Sequence, residues 1–322
     1  MTSQLENEQN SEEFIEHTRE SAIEMAKSGK SLADQDLTGL DLSKVNFTGI
    51  DLTNAIMEGV NLSGANLSSA TLEGVNLANA NLDNATLEDA KLVQCDAMGI
   101  SAKNCVFVGA LLEDTDLEEA NLTSADFSTC KGERINMSNC VAKEATFNGA
   151  EITGLLLDGS ELDGAKFIRA NMPEIVFGTA SGTKVSFIEA NLFKASAGDG
   201  CVFKGCNFHK VVANESCWDA ADLSESDLSF GEFEDSNFYG AVLVGANFNA
   251  ASLKQSSFTE ANFNRCELVN ADCFQASFEE ANLNEANFLG ANCFEAEFYN
   301  AIILETKFTG ANLKMTKLAG TR

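Results

Sequence analysis

The chain has 322 residues, and its 49 acidic and 21 basic side chains give a formal net charge of −28 at neutral pH. Direct binding to DNA, RNA or an anionic membrane calls for a basic surface, so the charge argues against those ligands. No run of about 18 apolar residues occurs, so no transmembrane helix is expected. The charge is compatible with a basic partner protein, with mimicry of nucleic acid, or with solubility of an elongated molecule.

The first predicted element is a helix within residues 10–28, where Asn10 and Glu13 have capping-box spacing and Gly29 suits a helix stop. Its apolar stripe consists of Phe14, Ile15, Thr18, Ala22 and Met25. We expect residues 1–30 to form a flexible N-terminus and a helix that caps the next element, the alternative being a partner-binding helix.

The polar, acidic N-terminus, MTSQLENEQNSEEF, has neither the basic nor the apolar region of a cleaved secretory signal. We therefore expect a cytoplasmic protein of bacterial type. A secreted effector without a cleavable signal is the alternative.

Beyond residue 30, a large apolar residue recurs every five positions, as at Leu67, Leu72 and Leu77. Neither a helix nor a strand has this period, so the repeat itself is the structural unit. These central residues run from Leu37 to Ala197 and, after a slip of one residue in ASAGDGCVF, from Phe203 to Leu318, giving 57 repeats. A small residue, usually alanine, lies two positions before most central residues, most often with Asn or Asp between them.

The resulting consensus, A-(N/D)-(L/F)-x-x, resembles that of the pentapeptide-repeat family over roughly residues 31–320. The resemblance implies an all-β fold, a right-handed quadrilateral parallel β-helix of about 14 coils. Each pentapeptide would form one side of a square, and four would form a coil of 20 residues. Phenylalanines at that spacing support it, in the columns Phe107, Phe127, Phe147, Phe167, Phe187 and Phe238, Phe258, Phe278, Phe298.

The slip divides the predicted β-helix into a first stack, 31–198, a bulge at 199–202, and a second stack, 203–322. One extra residue there predicts a bulge or short loop and a kink between the stacks. Both a tolerated insertion and a functional loop are compatible with it.

The repeat register leaves no candidate for catalysis or for metal or cofactor binding, so we expect a protein that is not an enzyme. Nine of the ten cysteines fall on inward positions and should behave as small apolar side chains. Cys273 and Cys293 should stack within disulfide reach and remain thiols in a reducing cytosol. Neither His17 nor His209 is expected in a Ser/His/Asp grouping.

Two kinds of surface are candidates for interaction. Val269, Phe274, Leu289 and Phe294 follow their central residues and should form a contiguous outward apolar patch, either an interface or a local ladder. The acidic residues should form separate solvated clusters rather than one dense stripe. The clusters contain Glu113, Asp114, Glu118, Glu119, Glu232, Glu234, Asp235, Glu279, Glu280 and Glu285.

Two functional hypotheses follow. The first is a non-enzymatic protein-interaction scaffold, which the resemblance extends to an accessory of a bacterial secretion system. The second, also implied by the resemblance, is an acidic DNA mimic that binds DNA gyrase or topoisomerase IV and protects it from fluoroquinolones or toxins. The C-terminal sequence KMTKLAGTR suggests no capping helix, which leaves that end available for forming a homodimer.

Overall fold

The structure is a computed structural model that describes residues 17–198, 200–318 and 320–321. It contains helix α1, Arg19–Lys27, and two short parallel strands, β1, Lys131–Glu133, and β2, Glu151–Thr153. Elsewhere, isolated parallel bridges join residues one coil apart, beginning with Asp36 and Ile56. The chain is therefore an all-β, right-handed quadrilateral β-helix, as predicted. Within the described ranges, no helix is long and apolar enough to cross a membrane.

Backbone hydrogen bonds join each coil to the next in both directions. The N–H group of Leu37 donates to the carbonyl oxygen of Ile56 at 2.7 Å, and the N–H group of Ile56 donates back to Gln35 at 2.9 Å. A turn closes each side of the square, as where Leu40 N–H donates to Leu37 at 3.1 Å. Because every repeat supplies the same donors and acceptors, each coil is a template for its neighbour.

The central residues fill the interior as stacked columns. From Phe107 to Phe187, consecutive rings lie 4.6–4.9 Å apart and almost parallel. From Phe238 to Phe298 the ring centroids lie 4.9–5.2 Å apart. Both predicted columns are confirmed, and with them the 20-residue coil. The rings are fully buried, so they contribute both apolar burial and ring stacking.

Gly132 replaces a large central residue, and its neighbourhood shows why. A Cβ atom there would lie 2.9 Å from the backbone carbonyl carbon of Leu112 and 3.1 Å from the Cδ1 atom of Ile135. Ile135 stands at a position that most repeats give to a small residue, and it is fully buried. The large side chain therefore occupies the volume that the central glycine leaves empty. Gly132 lies in β1, which pairs with β2 directly below it.

The predicted register slip is one coil of 21 residues. Ser181 bridges Val202 and Ser196 bridges Cys217, after which Val202 bridges Asp222 at the usual 20. All four sides thus remain paired across the slip. In the interior, the Phe187 and Phe208 rings stack at 4.7 Å. The two predicted stacks therefore share one hydrogen-bond ladder and one apolar interior.

Helix α1 packs on the first coil through Ala22, which is fully buried, with Ile23, Met25 and Ala26 partly buried against the same core. This agrees with the predicted capping position. Thr18 is not part of the apolar stripe, however. Its exposed side chain accepts from Ser21 N–H at the helix N-cap.

The helix ends at Lys27 with Ser28 as its C-cap, and Gly29, the predicted stop residue, follows with a positive φ of 68°. Gly29 N–H donates to Ala26, and Lys30 N–H donates to Met25, as in a Schellman motif. The predicted capping pair, Asn10 and Glu13, lies outside the described residues, as do Phe14 and Ile15.

Removing one ring from an interior column should destabilise the whole rod. Phe147 is fully buried between Phe127 and Phe167, so Phe147→Ala should lower the free energy of unfolding by about 3–5 kcal/mol. Phe193→Ala, which truncates an outward, half-buried ring, should cost about 1 kcal/mol or less. Urea denaturation followed by circular dichroism measures both variants. Equal losses would contradict the assignment of inward and outward positions.

Candidate functional site

The interior is packed with cysteine thiols and apolar side chains. Nine of the ten cysteines are buried and Cys217 is half-buried, as the register predicts. Burial raises the pKa of Cys140 to about 11, and the hydrogen bond to Cys293 together with burial raises the pKa of Cys273. Thiols with raised pKa values are poor nucleophiles at neutral pH. In the described part of the chain, no group of three or more His, Cys, Asp or Glu side chains is placed to hold a metal ion.

One grouping contradicts the sequence-based expectation. His209 Nδ1 lies 2.9 Å from the hydroxyl oxygen of Ser229 and 4.0 Å from a carboxylate oxygen of Asp227. The expectation failed because Ser229 stacks one coil beyond His209. In a catalytic triad, the serine and the carboxylate use opposite nitrogens of the imidazole. Here both face the same nitrogen, so the geometry is not that of an activated serine.

The other histidine belongs to the cap. His17 Nε2 lies 2.6 Å from the side-chain oxygen of Gln35, and Nδ1 lies 3.3 Å from the Ser21 hydroxyl. His17 is 7% exposed, and these contacts join the start of α1 to the first coil. Its role in the described structure is therefore positional.

The predicted outer patch, Val269, Phe274, Leu289 and Phe294, does point outward. The rings of Phe274 and Phe294 stack at 6.0 Å with 7° between their planes. Leu289 is 44% exposed, while the other three side chains are half-buried. Stacking of the two rings reduces the area that each presents to solvent.

Two polar residues interrupt the outer patch along the chain. Asp272 and Asn292 lie between the Val269–Leu289 pair and the Phe274–Phe294 pair on the same side of the square. Asn292 donates its side-chain N–H to Asp272 Oδ1 at 2.8 Å. The patch is therefore two apolar pairs flanking a polar row.

The acidic residues are more ordered than the sequence analysis predicted. Leu37 is the first of a column of central residues that stack one coil apart. Each of them is followed by two outward positions, and these positions stack along one edge of the rod. In the described residues these positions, from Thr38 to Gly320, include no lysine or arginine. We call this the acidic edge, and its carboxylates are Glu58, Glu118, Glu119, Asp158, Asp219, Glu260, Glu279 and Glu280.

None of the carboxylates of the acidic edge is ion-paired with a described residue, whereas other predicted acidic residues are neutralised locally. Arg134 Nε lies 2.6 Å from Asp114, and Lys254 Nζ lies 2.8 Å from Glu234. Two exposed tyrosines, Tyr239 and Tyr299, also lie on the acidic edge. The sequence signal was present, because sorting charges by their column at the 20-residue period separates this edge from the others.

The last coil exposes residues that are interior elsewhere. Leu283, Phe288, Cys293 and Phe298 are 0% exposed in the coil before it. Their counterparts Ile303, Phe308 and Leu313 are only partly buried, and Leu318 is 46% exposed. This end of the rod therefore presents an apolar surface.

Comparison with known proteins identifies the repeat. The model of the family "Pentapeptide repeats" matches residues 31–68, 61–96, 99–131, 160–196, 219–255, 236–272 and 276–314, more than half of the chain. No curated protein sequence matches the chain.

Solved structures of three proteins illustrate the likeness. HetL of the cyanobacterium Nostoc sp. strain PCC 7120, a pentapeptide repeat protein involved in regulating heterocyst differentiation, is 19% identical over 95% of this chain and 97% of its own, with a TM-score of 0.21. Rfr23 of the cyanobacterium Cyanothece 51142 is 25% identical over 38% of this chain and 86% of its own, with a TM-score of 0.22. QnrB1, a plasmid-mediated fluoroquinolone resistance protein, is 17% identical over 73% of this chain and 82% of its own, with a TM-score of 0.21.

The family model and the observed register agree over both predicted stacks. The chain belongs to the pentapeptide-repeat family.

Proposed function

We propose that this protein is a non-enzymatic protein-interaction scaffold. Its stiff rod holds outward side chains in fixed positions, where a partner protein binds them. The observation that carries the proposal is the Phe274–Phe294 pair, two outward aromatic rings on adjacent coils of a closed β-helix. Aromatic side chains are enriched among residues that dominate protein–protein binding. The family resemblance extends the proposal to an accessory protein of a bacterial secretion system.

The surroundings of the aromatic pair suit a binding surface. Leu289 adds exposed apolar area on the other margin of the same side, and the Asp272–Asn292 row supplies polar groups between the two pairs. A partner side chain seated against either pair would gain apolar burial, and the polar row would fix its orientation. The rod needs no rearrangement to present these groups, because the ladder beneath them is already complete.

Charging the aromatic pair should abolish partner binding. In Phe274→Asp/Phe294→Asp, two carboxylates replace the rings at outward positions, so the fold should persist while the apolar contact is lost. Phe193→Asp is the matched control, because Phe193 is also half-buried and occupies the same repeat position in the same column. Immobilised wild-type and variant chains are compared by quantitative mass spectrometry of the captured proteins.

The proposal expects at least one protein that wild type and Phe193→Asp retain equally and that the double variant loses. Circular dichroism checks that both variants keep the wild-type fold. Identical captured proteins for all three chains would contradict a binding role for the aromatic pair.

The acidic edge favours a second candidate function, a DNA mimic that binds a topoisomerase such as DNA gyrase. Its eight carboxylates extend over eleven coil steps, or roughly 53 Å at about 4.8 Å per step. That is one charge per roughly 7 Å, against about 1.7 Å of helix axis per charge in duplex DNA. The edge alone is thus about fourfold sparser than DNA, and for that reason the scaffold is our first proposal.

Neutralising the acidic edge tests the DNA-mimic proposal. Wild type should inhibit gyrase supercoiling, or protect gyrase from a fluoroquinolone, at low-micromolar concentration and less strongly at high salt. The substitutions Glu118→Gln, Glu119→Gln, Glu279→Gln and Glu280→Gln together should weaken the effect at least tenfold. The matched control changes four glutamates of another edge to glutamine, namely Glu144, Glu225, Glu285 and Glu305. No effect of wild type at large excess would contradict the proposal.

We further propose that the last coil binds a second copy of the chain. The partly exposed interior residues Phe308 and Leu313, with Leu318, supply the apolar surface. Light scattering should then give twice the chain mass of 34.4 kDa for wild type. Leu318→Glu should give a monomer, and Leu304→Glu, an outward control on the same coil, should leave the dimer intact. A monomeric wild type at micromolar concentration would contradict the proposal.

A further inference from the structure

A basic groove of about 520 Å³ lies between α1 and the first coil. We define it by six lining residues, Arg19, Ile23, Ala26, Lys27, Lys44 and Val45. The four helix residues among them follow the spacing of a single helix face. The groove therefore has one wall from α1 and one from the β-helix.

The helix wall is held in place by contacts behind it. Ala22 is fully buried against the first coil, and Arg19 donates to the backbone carbonyl oxygens of Asp41 and Ser43, the latter at 3.0 Å. Arg19 also lies 3.5 Å from the Asp41 carboxylate. The guanidinium is thus committed to holding the helix, and the two lysines remain as the groove's available cations.

The charge of the groove is opposite to that of the molecule. Lys27 and Lys44 are exposed, and neither has a carboxylate partner among residues 17–198, 200–318 and 320–321. Beside the two lysines, the groove is lined by Ile23, Ala26 and Val45, the last only 7% exposed. Such a lining can accept one apolar side chain with a carboxylate on either side of it.

We propose that the basic groove binds an acidic segment of a partner protein in which glutamate or aspartate flanks an apolar residue. The carboxylates would pair with Lys27 and Lys44, and the apolar side chain would rest on Ile23, Ala26 and Val45. At physiological ionic strength, charges farther away than about 8 Å are largely screened, so the nearby lysines outweigh the net charge of the rod. The unpaired carboxylates of the acidic edge repel the same segment from that edge of the rod.

A fluorescein-labelled peptide, Glu-Glu-Leu-Phe-Glu, tests the proposal by fluorescence anisotropy with the full chain. Wild type should bind it, and Lys27→Glu/Lys44→Glu should weaken binding by about tenfold or more, because two favourable charge pairs become repulsive. The matched control is Lys103→Glu/Lys184→Glu, which makes the same charge change at two lysines that also lack a described carboxylate partner. This control should bind as wild type does.

The peptide itself is varied as well. Lys-Lys-Leu-Phe-Lys and Glu-Glu-Ser-Ser-Glu should both bind at least fivefold more weakly, since one reverses the charge and the other removes the apolar contact. Equal loss in both lysine variants would overturn the proposal, as would no binding to wild type at 1 mM of the peptide.

The chain's own glutamates before His17 are the competing occupant. A full-length Glu12→Gln/Glu13→Gln/Glu16→Gln variant should bind the peptide as wild type does. A tenfold gain in that variant would show that the chain's own segment fills the groove, and would overturn its assignment to a partner. The groove and the outer patch lie on different coils, so the two binding proposals succeed or fail separately.

Discussion

The structure depends on a parallel ladder in which each coil donates backbone hydrogen bonds to the next and accepts others in return. A single coil would leave its backbone groups without intramolecular partners and its central side chains open to solvent. Adding a coil satisfies both needs at once, as the bonds from Leu37 to Ile56 and from Ile56 to Gln35 show. Stability therefore comes from contacts between neighbouring coils, and the same constraint requires side chains of compatible size at the inward positions that stack on one another.

That constraint separates structure from function along the sequence. The narrow interior limits the size of the central and small residues. A smaller side chain at one position is compensated by a larger one nearby, as Ile135 compensates for Gly132. The outward residues do not fill the interior, so their chemistry is not limited by its narrow width. The acidic edge, the outer patch and the basic groove are three surfaces that outward side chains form. They are arranged on a support that does not need to move.

The interior was predictable because its period is strict. The phenylalanine column that begins at Phe107 follows from the coil length of 20 residues alone. Features that depend on one local hydrogen bond were not predictable in this way. Thr18 is the N-cap because its hydroxyl meets the Ser21 N–H group, a choice that composition does not determine. The pairing of His209 with Ser229 and the division of the outer patch by Asp272 and Asn292 require neighbours from adjacent coils. The acidic edge was accessible in principle, but only after charges were sorted by column.

The central claim is that one uninterrupted ladder runs through the register slip, and amide hydrogen exchange tests it most directly. The N–H groups of Leu192 and Ala197 cross the 21-residue coil to Val212 and Cys217, each at 2.7 Å. They should exchange as slowly as the N–H group of Phe147, which bonds across an ordinary coil at 2.7 Å. Fast exchange at Leu192 and Ala197 alongside a protected Phe147 would mean two separate stacks, and would contradict the account.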